Sequence, residues 1–116
     1  MKYDQITESK TREDKLEVVK LPYKLGDLSP VLSKKNIDYH YNVLTKAYVR
    51  RYNEKEGDPN FNYGGAKLHN MFWSQLRKPK PGNKPSGAVK ELINKNFDSF
   101  DAFKKEIFRM SMTIQG

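Results

Sequence analysis

Asn36-Ile37-Asp38-Tyr39-His40-Tyr41-Asn42-Val43-Leu44-Thr45-Lys46-Ala47-Tyr48-Val49-Arg50 contains one of the chain's two histidines and its densest aromatic and aliphatic pattern. Ile37, His40, Tyr41, Leu44 and Tyr48 recur at spacings of three and four, which puts them on one face of an α-helix. His40 therefore points toward whatever packs against that face, and its imidazole is expected to be buried. Two roles suit such a residue, a hydrogen-bonded core histidine or a metal ligand, and a second histidine in a similar setting weighs toward the ligand.

Working outward, Ser33 can cap a helix that runs to about Tyr52, and Glu54-Lys55-Glu56-Gly57-Asp58-Pro59 breaks it. A second helix is expected from about 60–63, carrying Gly64, Gly65, Ala66, His69, Phe72 and Trp73. Two glycines inside a helix cost ~1 kcal/mol each against alanine, so they imply a close approach to another helix or to a site. Leu68, Phe72 and Leu76 share one side, with His69 and Trp73 four residues apart. The second histidine thus also falls on a largely apolar helix.

Before the first helix, Leu21, Tyr23, Leu25 and Leu28 anchor a loop in which Pro22 and Pro30 forbid continuous helix. Residues 1–20 mix acids and bases with few large apolar side chains and read as a flexible charged extension. Beyond the hairpin, residues 77–86 hold three prolines and several basic residues, an exposed connection. A third helix fits 86–96 with Val89, Leu92 and Ile93 inward. A fourth follows an Asp98-Ser99 cap with Phe100, Phe103, Ile107, Phe108 and Met110 inward. No repeat or strand-rich stretch appears. The expected fold is all-α, an antiparallel helical hairpin followed by two shorter helices, divided as extension 1–20, hairpin domain 21–85 and the start of a further domain 86–116.

With 116 residues the chain can form one modest core. Without cysteine it has neither disulfides nor thiolate ligands, so any metal must be held by His, Asp or Glu, which suits manganese, iron or zinc. No apolar run is long enough to span a membrane and no signal-peptide pattern opens the chain, so an intracellular protein, cytoplasmic or of the mitochondrial matrix, is expected rather than a secreted one. The net charge of +8 would attract nucleic acid or steer a small anion. Arg77, Lys78, Lys80 and Lys84 could contact phosphates, though a solvated loop is the simpler account of them.

Several separate blocks resemble the N-terminal half of the iron/manganese superoxide dismutases. Leu21-Pro22-Tyr23 with Leu25, Leu28 and Pro30 is similar to the family's opening, and Asp38-Tyr39-His40-Tyr41-Asn42 with Tyr48-Val49 to its first ligand helix. Phe61-Asn62, Gly64-Gly65, His69 and Phe72-Trp73 resemble its second. Asn96-Phe97-Asp98-Ser99-Phe100 with Phe103-Lys104, and Thr113-Ile114-Gln115-Gly116, resemble the passage into its α/β half.

The resemblance implies that His40 and His69 are ligands of one manganese or iron ion, completed by an Asp, a His and a solvent molecule from outside this stretch. It implies an oxidoreductase that converts superoxide to dioxygen and hydrogen peroxide as the metal alternates between +3 and +2. Tyr48 takes the place of the tyrosine in the proton-delivery network, and Trp73 that of a tryptophan walling the metal pocket. A homodimer or larger assembly is implied, and Gly65, four residues before His69, follows the manganese-type pattern. Three features depart from the family: Leu44-Thr45 stand where His-His is usual, the hairpin between the histidines is short, and the Asp-x-Trp-Glu-His stretch that would supply the other ligands is not in this sequence. Activity from these 116 residues alone is therefore not expected. The alternative that these departures support is a non-catalytic subunit of a larger assembly, such as a ribosome.

Overall fold

The computed structural model describes residues 13–115, and among them only helices and connecting segments occur, with no strand. The first helical arm comprises α1 (Lys34–Asp38), a π-helical segment (Tyr39–Thr45) and α2 (Lys46–Asn53), following one another without a break. Ser33 caps it, its hydroxyl accepting from the Asn36 N–H at 3.0 Å. The second arm, α3 (Pro59–Ser74), starts at Asp58, whose carboxylate accepts from the Asn60 N–H, and Pro59 occupies the first turn, where its missing donor costs nothing. Ring contacts between Tyr52 and Tyr63, Tyr48 and His69, and His40 and Trp73 pair falling numbers on one arm with rising numbers on the other. The arms are therefore antiparallel.

The hairpin holds two apolar clusters. Near its turn, Leu16, Val49 and Ala66 pack with Val18, Tyr48, Tyr52 and Tyr63. Toward its open end, Leu28, Ile37 and Trp73 pack with Leu21, Tyr23, Leu25, Tyr41, Phe72 and neighbouring residues. The loop read as apolar anchors thus supplies this second cluster, and the Tyr23 hydroxyl adds a bond to the Trp73 carbonyl at 2.9 Å.

Two expectations about the hairpin are corrected. The stretch 13–20, assigned to a flexible extension, is a strap fastened to both arms. Asn53 accepts from the Leu16 N–H and donates to the Leu16 carbonyl, both at 2.8 Å, and Asn70 holds the Val19 N–H and the Glu17 carbonyl in the same way. Leu16 is buried, and the Tyr41 hydroxyl donates to the Val19 carbonyl. Charge composition averaged over twenty residues conceals this, because the binding groups are backbone amides and one leucine. Residues 1–12 of the expected extension lie outside the described residues.

The second correction concerns register: Leu44, expected inward, is 37% exposed, while Thr45 is fully buried. In the π segment the Lys46 N–H reaches back five residues to the Tyr41 carbonyl, which adds a residue to the turn and carries the inward stripe from 44 to 45.

The chain divides into compact units between Pro79 and Lys80, inside the proline-rich connection rather than at 85 and 86. In the second unit α4 (Gly87–Phe97) and α5 (Phe100–Ser111) meet at a turn where Asp98 takes a positive φ of 72°, and the Ser99 hydroxyl caps α5 by accepting from the Ala102 N–H. Ile93 is buried, and the Phe103 ring packs on Phe97 and Phe100. Val89, Leu92, Ile107, Phe108 and Met110, expected inward, are exposed. A single helix–helix seam cannot cover stripes this wide.

Candidate metal centre

His40 comes from the π segment and His69 from the middle of α3, and the antiparallel pairing sets their rings edge to face with centroids 4.9 Å apart. Phe72 and Trp73 flank His40 at 5.5 and 4.9 Å, and Tyr48 lies against His69 at 5.2 Å. The pair therefore sits between the two apolar clusters. It is half-buried rather than enclosed, because its rings border an open depression of 260 Å³ lined by His40, Leu68, His69 and Phe72.

The His69 Nδ1 lies 2.7 Å from the Gly65 carbonyl oxygen. A carbonyl only accepts, so Nδ1 carries a proton, and in the neutral ring the lone pair is then on Nε2. His40 is biased toward its neutral form: burial lowers its pKa, and positive charge on the neighbouring His69 would lower it further. Neutral imidazoles bind metal ions and protonated ones do not. The donor chemistry present thus fits a transition metal that accepts nitrogen ligands. Among the described residues no group of three or more His, Cys, Asp or Glu side chains gathers, so the pair offers two donors.

Gly65 has a second role. A β-carbon there would fall 2.7 Å from Tyr48 Cγ, so the bare backbone is what lets the Tyr48 ring settle beside His69. The expected close approach thus belongs to Gly65. Gly64 has nothing within 4 Å of its missing β-carbon. The four residues singled out by sequence, His40, Tyr48, His69 and Trp73, meet in one constellation. Trp73 is fully buried beside His40. The sequence reading passed over Thr45 except as a missing histidine; its hydroxyl accepts from Trp73 Nε1 at 3.0 Å and donates to the His40 carbonyl at 2.8 Å. A short hydroxyl residue within an apolar stripe was the only available signal.

Residues 15–58 match the sequence model of the iron/manganese superoxide dismutases, alpha-hairpin domain. Over that stretch the chain is similar to this family. It is 37% identical over 125 residues to an iron superoxide dismutase of Saccharolobus solfataricus, a match covering 88% of this chain and 59% of that protein. A manganese/iron superoxide dismutase of Porphyromonas gingivalis is 33% identical over 118 residues, covering 86% and 61%. A mitochondrial manganese superoxide dismutase of Glossina morsitans morsitans is 32% identical over 116 residues, covering 84% and 53%. This superoxide dismutase-like chain thus spans little more than half the length of the curated relatives it matches. All three carry the name of an enzyme, which does not favour the scaffold-subunit alternative. No helix among the described residues is long and apolar enough to cross a membrane.

Proposed function

We propose that this chain supplies the two histidine ligands of a mononuclear manganese or iron centre in a superoxide dismutase, the remaining ligands coming from residues outside it. The observation that carries the reading is that the only two histidines in the sequence, one on each arm, bring their rings within 4.9 Å, with His69 Nδ1 turned onto a carbonyl. When bound, the metal supplies one-electron chemistry, oxidising one superoxide to dioxygen and reducing a second, with two protons, to hydrogen peroxide. His40 and His69 hold it through neutral nitrogens. Trp73 and Phe72 pack apolar rings against His40, which supports its orientation. Tyr48 places a phenol next to His69, where its hydroxyl would hold a proton for delivery to the substrate.

Superoxide is the proposed substrate, and a homodimer or larger assembly within an intracellular compartment, cytoplasmic or mitochondrial, the proposed setting. The excess of positive charge would steer the anionic substrate. Nucleic acid needs no place in this reading. The test is elemental analysis of protein purified from its natural source without added metal, alongside a superoxide-consumption assay. Near-stoichiometric manganese or iron is expected, lost in both His40→Ala and His69→Ala. A metal-free natural protein that leaves superoxide decay at its spontaneous rate refutes the proposal.

A further inference from the structure

We infer that Thr45 is a positioning residue that locks His40 to Trp73 and so sets the direction of the His40 imidazole; its consequence for metal binding rests on the ligand reading above. Among the described residues no hydrogen bond reaches the His40 ring, so the ring is aimed by its backbone and by the aromatic groups around it. Thr45 acts on both. Its hydroxyl donates to the His40 carbonyl at 2.8 Å, five residues back across the π turn, and accepts from the Trp73 indole at 3.0 Å.

Thr45 and Trp73 are fully buried, and the half-buried His40 ring meets the Trp73 ring in an edge-type contact with centroids 4.9 Å apart. The hydroxyl therefore joins the backbone that carries the ligand to the ring that supports it. Valine has nearly the same shape as threonine but cannot bridge, so replacing Thr45 separates this function from packing. It leaves Trp73 Nε1 buried without an acceptor, and the indole must shift to find one, taking its contact with His40 along.

The test uses the metal-free protein and then Mn²⁺ alone as the probe. By NMR, the Trp73 Nε1 proton of the unmodified protein should exchange slowly and show a cross-peak to Thr45; exchange as fast as a free indole overturns the bridge without any variant. In Thr45→Val the His40 ring signals should shift and the His40–Trp73 cross-peaks weaken, while Thr45→Ser, which keeps the hydroxyl, preserves them. A folded Thr45→Val with unchanged His40 signals overturns the inference. In Mn²⁺ titrations, Thr45→Val should bind about tenfold more weakly, the lower end of losses seen when groups supporting a ligand are removed, and Thr45→Ser within about twofold of the parent. The titrations use the protein together with the residues that complete the site; if that parent binds no Mn²⁺, the ligand reading fails, and the NMR comparison by itself upholds or overturns the positioning role.

Discussion

Adjacent glycines in α3 allow the contact between Gly65 and Tyr48 to be weighed on its own. A methyl added at Gly65 would lie 2.6 Å from Tyr48 Cε1 and 2.7 Å from Cγ. That is about 1 Å inside the ~3.5–4.0 Å optimum for carbon pairs. The atoms it meets belong to the ring rather than to a flexible chain end, so either the ring swings away from His69 or the arms separate. Overpacking of this kind costs ~1–3 kcal/mol. At Gly64 the same methyl meets nothing within 4 Å, which leaves only the helix preference of alanine, a gain of ~0.5–1 kcal/mol. Both residues lie within the same helix, so the preference cancels between them. Gly65→Ala should therefore be less stable than Gly64→Ala by ~1–3 kcal/mol. At ~4–8 °C per kcal/mol, the two melting temperatures should differ by about 4–24 °C. Urea unfolding followed by fluorescence of Trp73, the sole tryptophan, gives the free energies directly. In a Tyr48→Ala background the gap should shrink to below ~0.5 kcal/mol. Equal stabilisation by both alanines would refute the argument, and with it the claim that Gly65 sets the place of Tyr48 beside His69.

The strap should contribute to stability: Leu16→Ala removes a buried side chain packed on Val49 and Ala66 and should cost ~2–5 kcal/mol in the same unfolding assay, whereas a loss below ~0.5 kcal/mol would return residues 13–20 to the status of a loose extension. Ser99→Ala removes the acceptor for the Ala102 N–H and should destabilise α5 by ~0.5–2 kcal/mol, read as faster amide exchange in its first turn. The Glu106 carboxylate receives two bonds from Arg109, at 2.6 and 3.0 Å, and its pKa is lowered chiefly by that hydrogen bonding. The proton is thus bound more weakly in the folded chain, so the pair's contribution is present above the unfolded glutamate pKa and is lost as pH falls through the lower folded value. Carbon-detected NMR titration should find the midpoint below that of an ordinary glutamate and see it rise in Arg109→Met; no movement would show the pair to be idle in solution.

The elements were legible because they rest on local chemistry. Ser33, Asp58 and Ser99 are hydroxyl or carboxylate caps that act within three residues of themselves, and Pro59 and the proline-rich connection punctuate the backbone wherever they stand. The histidines were legible as candidates because helical spacing alone turned both inward. Less was readable where a residue answers to a distant partner. Asn53 and Asn70 gave no sign that their amides would clasp the backbone of residues 16–19, and the charges around Leu16 outweighed one leucine. In α4 and α5 the apolar spacing was read correctly as amphipathic, but whether a stripe is covered depends on what lies opposite, and Leu92 and Phe108 remain open.

By itself, then, the sequence determined an all-α hairpin with a histidine on each arm, because periodicity, caps and helix breakers are properties of neighbouring residues. Only the tertiary structure decided that the first arm passes through a π turn, that Thr45 rather than Leu44 faces inward, and that Gly65 rather than Gly64 admits the tyrosine. Each of these depends on atoms brought together across the hairpin: the Trp73 indole that meets the Thr45 hydroxyl, and the Tyr48 ring that meets the bare backbone of Gly65. Such contacts form only after the chain has turned back on itself, and no local pattern records them.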